Sequence, residues 1–153
     1  MTSPIDPAFF DLLSASYQHF FNQRLVPFPV EDSVDAARWL YADAPFAVLA
    51  HNTNADPMFV YGNLAAQRRF GYSWDEITNL HSRLSAELPN REERQQLLDR
   101  VKRDGFARDY RGVRISKSGE KFLIEDAVLW QLIDAQGSVR GQAVKIMKTR
   151  DYP

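Results

Sequence analysis

Asn63-Leu64-Ala65-Ala66-Gln67-Arg68-Arg69-Phe70-Gly71-Tyr72-Ser73-Trp74-Asp75-Glu76-Ile77 reads as the exit of a strand, a short helix, a glycine stop and the start of a second helix. The Asn63 side-chain oxygen can cap the first helix, Gly71 can take the left-handed conformation that ends it, and Ser73 with Glu76 makes a capping box for the next. Upstream, Phe46-Ala47-Val48-Leu49-Ala50 predicts a strand, Asn52 to Pro57 a turn, and Met58-Phe59-Val60-Tyr61 the partner strand. Downstream, Asn90 and Glu93 predict another capping box. Its helix carries Lys102 and Arg103 in the last turn, ends at Gly105 and buries Leu97, Leu98 and Val101. Three strands follow at about residues 109–116, 121–133 and 140–148. Two strands, a cluster of short helices and three more strands make an α+β chain, an antiparallel sheet with helices packed on one face.

The N-terminal segment adds an amphipathic helix. Asp6 stands at its N-cap, Pro7 at its first position, and Ile5 with Phe10 can close a hydrophobic staple. Phe10, Leu13, Tyr17, Phe20 and Phe21 recur at helical spacing and draw an apolar stripe that ends near Leu25. Such a stripe needs cover, so Phe10, Leu13, Tyr17 and Phe20 are candidate interface residues, for the outer face of the sheet and for a homodimer. The prolines of Leu25-Val26-Pro27-Phe28-Pro29-Val30 make an extended linker. A second helix starts after Asp32 or Ser33 and stops before Pro45. The expected division is residues 1–30 as helix and linker, and 31–153 as the domain proper.

Composition excludes several classes of function. The 153 residues, 44% hydrophobic and 25% charged, suit one globular domain with a single core. No apolar run approaches a membrane span, and the N-terminus lacks a secretory signal, so the cytoplasm is the expected location. With no cysteine there are no disulfides, no thiolate metal site and no cysteinyl adduct. A net charge of -1 gives no reason to expect nucleic acid or an anionic membrane as partner.

The opening stretch resembles the signature of a PAS-type sensory domain. The segments His51 to Asp56, Tyr61-Gly62-Asn63, Ser82 to Glu87, Tyr110 to Ser116 and Gly141-Gln142-Ala143 resemble, more specifically, a MEKHLA domain, over roughly Val34 to Lys148. That family is a PAS-like module found alone in bacteria and as a regulatory domain in plant homeodomain-leucine zipper proteins. The resemblance implies a PAS-like antiparallel sheet and a sensory or regulatory role in signalling. It assigns no catalytic or ligand-binding residue, and DNA binding does not transfer with it. Flavin or haem enters as a cofactor by analogy alone, and the missing cysteine rules out photoadduct chemistry.

The glycine hairpin at Lys117-Ser118-Gly119-Glu120 allows two registers. A two-residue loop sets Ile115 opposite Phe122 and Arg111 opposite Asp126; a three-residue loop with Gly119 in the bulge position sets Arg111 opposite Glu125. The first is preferred, because it collects Val113, Ile115, Phe122, Ile124, Val128 and Trp130 on one apolar face.

His19, His51 and His81 stand apart, without metal-site spacing, so no metal is expected. His51, at a strand end beside Asn52, Asn54 and Asp56, is a candidate ligand-binding residue, as are Tyr61 and Asn63, although a structural role is the commoner one for such a histidine. Trp130 is either core filling or a stacking surface, and Arg111 with Asp126 either a structural ion pair or an anion clamp. The cations between Arg100 and Lys121, Arg114 among them, are interrupted by acids and suit a solvated face. No nucleophile and base, phosphate loop or metal constellation appears, so no catalytic residue is assigned. Three readings compete: a sensory module that binds a small molecule between sheet and helices, a protein-interaction or dimerisation module with a packed core, and a small α+β enzyme.

Overall fold

The apolar runs become strands β1 (Ala47–His51), β2 (Phe59–Gly62), β3 (Phe106–Ile115), β4 (Lys121–Ile133) and β5 (Val139–Asp151). The capped segments become helices α1 (Pro7–Phe21), α2 (Ser33–Ala42), α3 (Leu64–Phe70), α4 (Trp74–Ile77) and α5 (Leu88–Asp104), with a 3-10 turn at Ser82–Ser85. This computed structural model describes residues 3–152, and for residues 88 and 89 the backbone alone; residues 1, 2 and 153, at the ends of the expected two-part division, lie outside it. The strands form one antiparallel sheet in the order β2-β1-β5-β4-β3.

The local signals of the opening stretch are used as expected. Gly71 ends α3 at φ 81°, and Ser73 and Glu76 exchange both bonds of the capping box. Asn63 does more than cap. Its Oδ1 accepts from Ala66 N at 3.1 Å and Val48 N at 3.0 Å, and its Nδ2 donates to the Leu40 and Phe46 carbonyls at 3.0 Å each. One fully buried side chain thus ties β1, α2 and α3 together.

Three expectations need correction. The stripe-bearing α1 stops at Phe21, because Asn22 takes the left-handed conformation at φ 53° and returns its N–H to Gln18. The Asn90–Glu93 box does not form: α5 starts at Leu88 with Glu87 at its N-cap, and Asn90 donates its N–H to Glu87 O within the first turn. Pro89 favours that earlier start, since its fixed φ suits a first turn where no amide donor is needed. The hairpin takes the three-residue loop, with Ser116 N bonded to Glu120 O, Gly119 at φ 88° and Arg114 opposite Phe122.

The preferred apolar face is therefore split. The β3–β4 pairing shifts between Ala107 and Tyr110 and again between Tyr110 and Gly112, where Asp109 and Asp126 have φ of 53° and 52°. Phe122 and Ile124 before the irregularity, and Ala127 and Leu129 after it, all join the cluster under α3, α4 and α5. Val128, Trp130 and Leu132 turn to the opposite face.

That opposite face belongs to α1. Phe10, Leu13, Tyr17 and Phe21 pack on Val48, Ala50, Trp130, Leu132 and Ala143, and α2 adds Ala36, Ala37 and Leu40. Trp130 Nε1 donates to Leu13 O at 3.3 Å. Ser16 Oγ accepts from Ile133 N at 2.9 Å and donates to its carbonyl, so the helix extends the strand's hydrogen bonding. The amphipathic helix covers the outer sheet face of its own chain.

Candidate functional site

On the α3–α5 side the sheet and α5 do not close completely. A cavity of about 50 Å³ remains, walled by Leu49, Phe59, Phe70, Leu98, Ile124, Leu129 and Ile146. That volume has room for roughly three to five waters. Into this apolar wall are set His51, Ser85, Arg94, Tyr110, Arg114 and Gln142. Backbone positions explain how they meet. Gln142 of β5 lies opposite His51 of β1 in the ladder, and Gly141 lets the strands approach: a Cβ there would come within 2.2 Å of His51 O. On β3, Tyr110, Gly112 and Arg114 follow one another, and a Cβ on Gly112 would meet the Tyr110 hydroxyl at 2.2 Å. Only glycine leaves space for Tyr110 and Arg114 to fold over that position.

The charges in this wall are unusual. Arg94 and Arg114 are 6% and 7% exposed, and no carboxylate among the described residues pairs with either guanidinium. Arg114 donates to Val113 O at 2.9 Å and to the Tyr110 hydroxyl at 3.0 Å, and Tyr110 donates in turn to Glu93 at 2.9 Å. Glu93 is exposed, so the carboxylate that ends this chain of bonds sits at the rim, one hydroxyl away from Arg114. Burial, and then the like charge of Arg114, lower the Arg94 pKa to about 10, with Tyr110 opposing and Arg91 adding to the shift. Arg94 is still charged at neutral pH.

His51 is the opposite case. Its Nδ1 lies 2.8 Å from the Asn52 carbonyl, which can only accept, so Nδ1 carries the proton and Nε2 is a bare acceptor. Nε2 and Gln142 Oε1 are buried without a hydrogen-bond partner among the described residues. Burial lowers the His51 pKa to about 4; the Asn52 carbonyl opposes this and the Arg94 charge adds to it. An open pocket of about 260 Å³ adjoins the cavity, shares His51, Leu98 and Gln142 with it, and runs along the Asn52–Pro57 turn.

Of the candidate ligand-binding residues named from sequence, only His51 lines the cavity. Tyr61 is buried on the α1 side against Phe9 and Trp74, and burial raises its pKa. Trp130 is wedged on the same side between Tyr17 and Phe21. The Asn63 oxygen and amide are engaged within the chain. Arg111 pairs with Glu125 at 3.5 Å on the surface, 62% exposed, and Asp126 is exposed beside it. Phe10, Leu13 and Tyr17 are buried under their own chain, and Phe20 packs on Phe106. Arg114, assigned to a solvated face, points inward instead, because the three-residue loop puts it opposite buried Phe122. Arg94 carried a signal of its own: it sits three, four and seven residues before Leu97, Leu98 and Val101, on the buried stripe of α5.

Among the described residues no three His, Asp or Glu side chains gather as metal ligands would, and no helix is long and apolar enough to cross a membrane. A five-stranded antiparallel sheet in this order, with α3, α4 and α5 on one face and a cavity beneath them, defines a PAS-like fold. Solved structures agree on the fold. A PAS domain from Colwellia psychrerythraea is similar with a TM-score of 0.65 at 13% identity, over 79% of this chain and 98% of that one. A light-oxygen-voltage domain studied with a flavin analogue gives 0.58 at 14% identity, over 78% and 84%. A PAS domain of a two-component sensor histidine kinase gives 0.57 at 19% identity, over 77% and 95%. Among curated proteins none matches the sequence. The family model of the MEKHLA domain matches residues 8–150, and the chain belongs to that family.

Proposed function

We propose that this MEKHLA domain is a sensory module that takes up a small molecule in the cavity between sheet and α5 and passes its occupancy on through protein contacts. The observation that carries this reading is the pair of buried, unpartnered acceptors, His51 Nε2 and Gln142 Oε1, on residues that line the cavity beside Arg94 and Arg114 in a largely apolar wall. A buried polar atom without a partner costs about 1–3 kcal/mol, which a bound donor recovers. A non-enzymatic role and a cytoplasmic location go with this reading.

A flavin, suggested by the light-oxygen-voltage neighbour, does not fit. Cofactor-sized sites occupy roughly 300 Å³ or more, and the cavity is about 50 Å³. Haem fails on the same ground. The small volume also favours a second reading, an interaction module whose interior is simply packed. Any homodimer then uses surface other than the α1 stripe, which the chain covers itself. Native mass spectrometry of the full chain separates the two: a retained small-molecule adduct supports the sensory reading, and a bare chain that gains no stability from any small ligand supports the second.

A further inference from the structure

Two guanidinium groups share the inner cavity with two acceptors that have nothing to accept from. A buried cation costs several kcal/mol unless an anion or a set of hydrogen bonds answers it. Arg114 is answered in part, through the Tyr110 hydroxyl and the Val113 carbonyl. Arg94 is not: the other cations acting on it, Arg114 and Arg91, share its sign. Glu93, the carboxylate joined to Arg114 through the Tyr110 hydroxyl, is spent on Tyr110 at the rim. The stripe position of Arg94 would be filled more cheaply by leucine or methionine, so a guanidinium there needs a reason other than packing.

From this we infer that the cavity takes a small hydroxycarboxylate, its carboxylate held between Arg94 and Arg114 and its hydroxyl donating to His51 Nε2. The inference rests on the ligand-binding reading above and adds the ligand's chemistry. Guanidinium groups match a carboxylate with paired N–H bonds. Neutral His51 with its proton on Nδ1 can accept from a hydroxyl but cannot donate at Nε2, which selects a ligand carrying a donor. A space for roughly three to five waters admits an acid of about that many non-hydrogen atoms. The open pocket along the Asn52–Pro57 turn gives it a way in past His51 and Gln142.

The test is thermal unfolding and titration calorimetry of the full chain at constant ionic strength. Glycolate is the probe, acetate lacks the hydroxyl, glycolamide lacks the charge, and chloride controls for salt. Glycolate is expected to raise the melting temperature with saturation, acetate more weakly, and glycolamide and chloride not at all. Arg94→Met should weaken glycolate at least tenfold while melting no lower than the parent without ligand, because it removes an unanswered buried charge. Arg111→Met, on the surface, should leave the response intact. Three results overturn the inference: a glycolate response kept in Arg94→Met, equal responses to glycolate and chloride, or Arg94→Met melting far below the parent, which would make the arginine structural. A response to glycolamide as strong as to glycolate also overturns it but leaves the cavity a ligand site. No response to any probe, with no adduct in native mass spectrometry, removes both readings.

Discussion

His51 and Asn63 are the two residues whose environments make the sharpest demands. The His51 pKa is lowered from 6.5 to about 4, so the unfolded chain binds a proton that the folded one refuses between those values. Stability from this group is fully present above about pH 6.5 and is lost as pH falls toward 4, about 3 kcal/mol in all for such a shift. Urea unfolding at pH 7 and pH 4.5 should show a smaller acid loss in His51→Asn than in the parent; equal losses would mean the imidazole is not buried neutral. Asn63 is a different kind of test, because Asn63→Asp keeps the shape. It loses both Nδ2 bonds and sets a carboxylate against the Leu40 and Phe46 carbonyls. A cost of about 3 kcal/mol or more follows, since two buried acceptors lose their donor. A near-neutral Asn63→Asp in urea titrations would show that the knot is not buried as described.

At the level of elements, the β3–β4 hairpin carries the predictions. Arg111 and Glu125 meet across it at 3.5 Å, but with Arg111 62% exposed the pair is solvated. Arg111→Ala should cost under about 1 kcal/mol, and a double-mutant cycle with Glu125→Ala should find a coupling no larger. Gly112→Ala should cost more, about 1–3 kcal/mol, although it adds only a methyl group, because the new Cβ would overlap the Tyr110 hydroxyl and push it off Arg114. If Gly112→Ala unfolds no earlier than the parent, the Tyr110–Arg114 arrangement is not what fills that face. Strand identities here were legible from β-branched and aromatic runs between glycine turns. The register was not, since one residue of loop length moves every side chain of β3 to the other face.

For the whole molecule, the question is what α1 does. Each fully buried apolar side chain contributes about 1.5–3 kcal/mol, and Phe10, Leu13, Tyr17 and Phe21 all lie against the sheet. A chain truncated before Val30 should aggregate or lose its cooperative transition, because Trp130, Leu132 and Val48 would face water and Trp130 Nε1 would lose its acceptor. Leu13→Glu distinguishes cover from dimerisation. It should unfold the subunit; soluble, folded monomers from a dimeric parent, seen by light scattering and circular dichroism, would instead place α1 at a subunit interface.

The sequence by itself determined what depends on a few neighbouring residues. Asp6, Asn63, Ser73 with Glu76, Gly71 and Gly105 marked helix ends because a cap acts within one turn. Two strands, a cluster of short helices and three more strands then left an antiparallel sheet as the simplest arrangement. Only the tertiary structure decided which faces those elements turn to one another. His51, Arg94, Arg114 and Gln142 come from four elements and meet in one cavity because of a three-residue loop, a shift in pairing at Asp126 and a close approach at Gly141. Arg111 and Arg114 look alike in the chain, three residues apart and amid the same cations. The first is solvated and the second is buried, and the difference is the parity of a strand, set by contacts with residues distant in sequence.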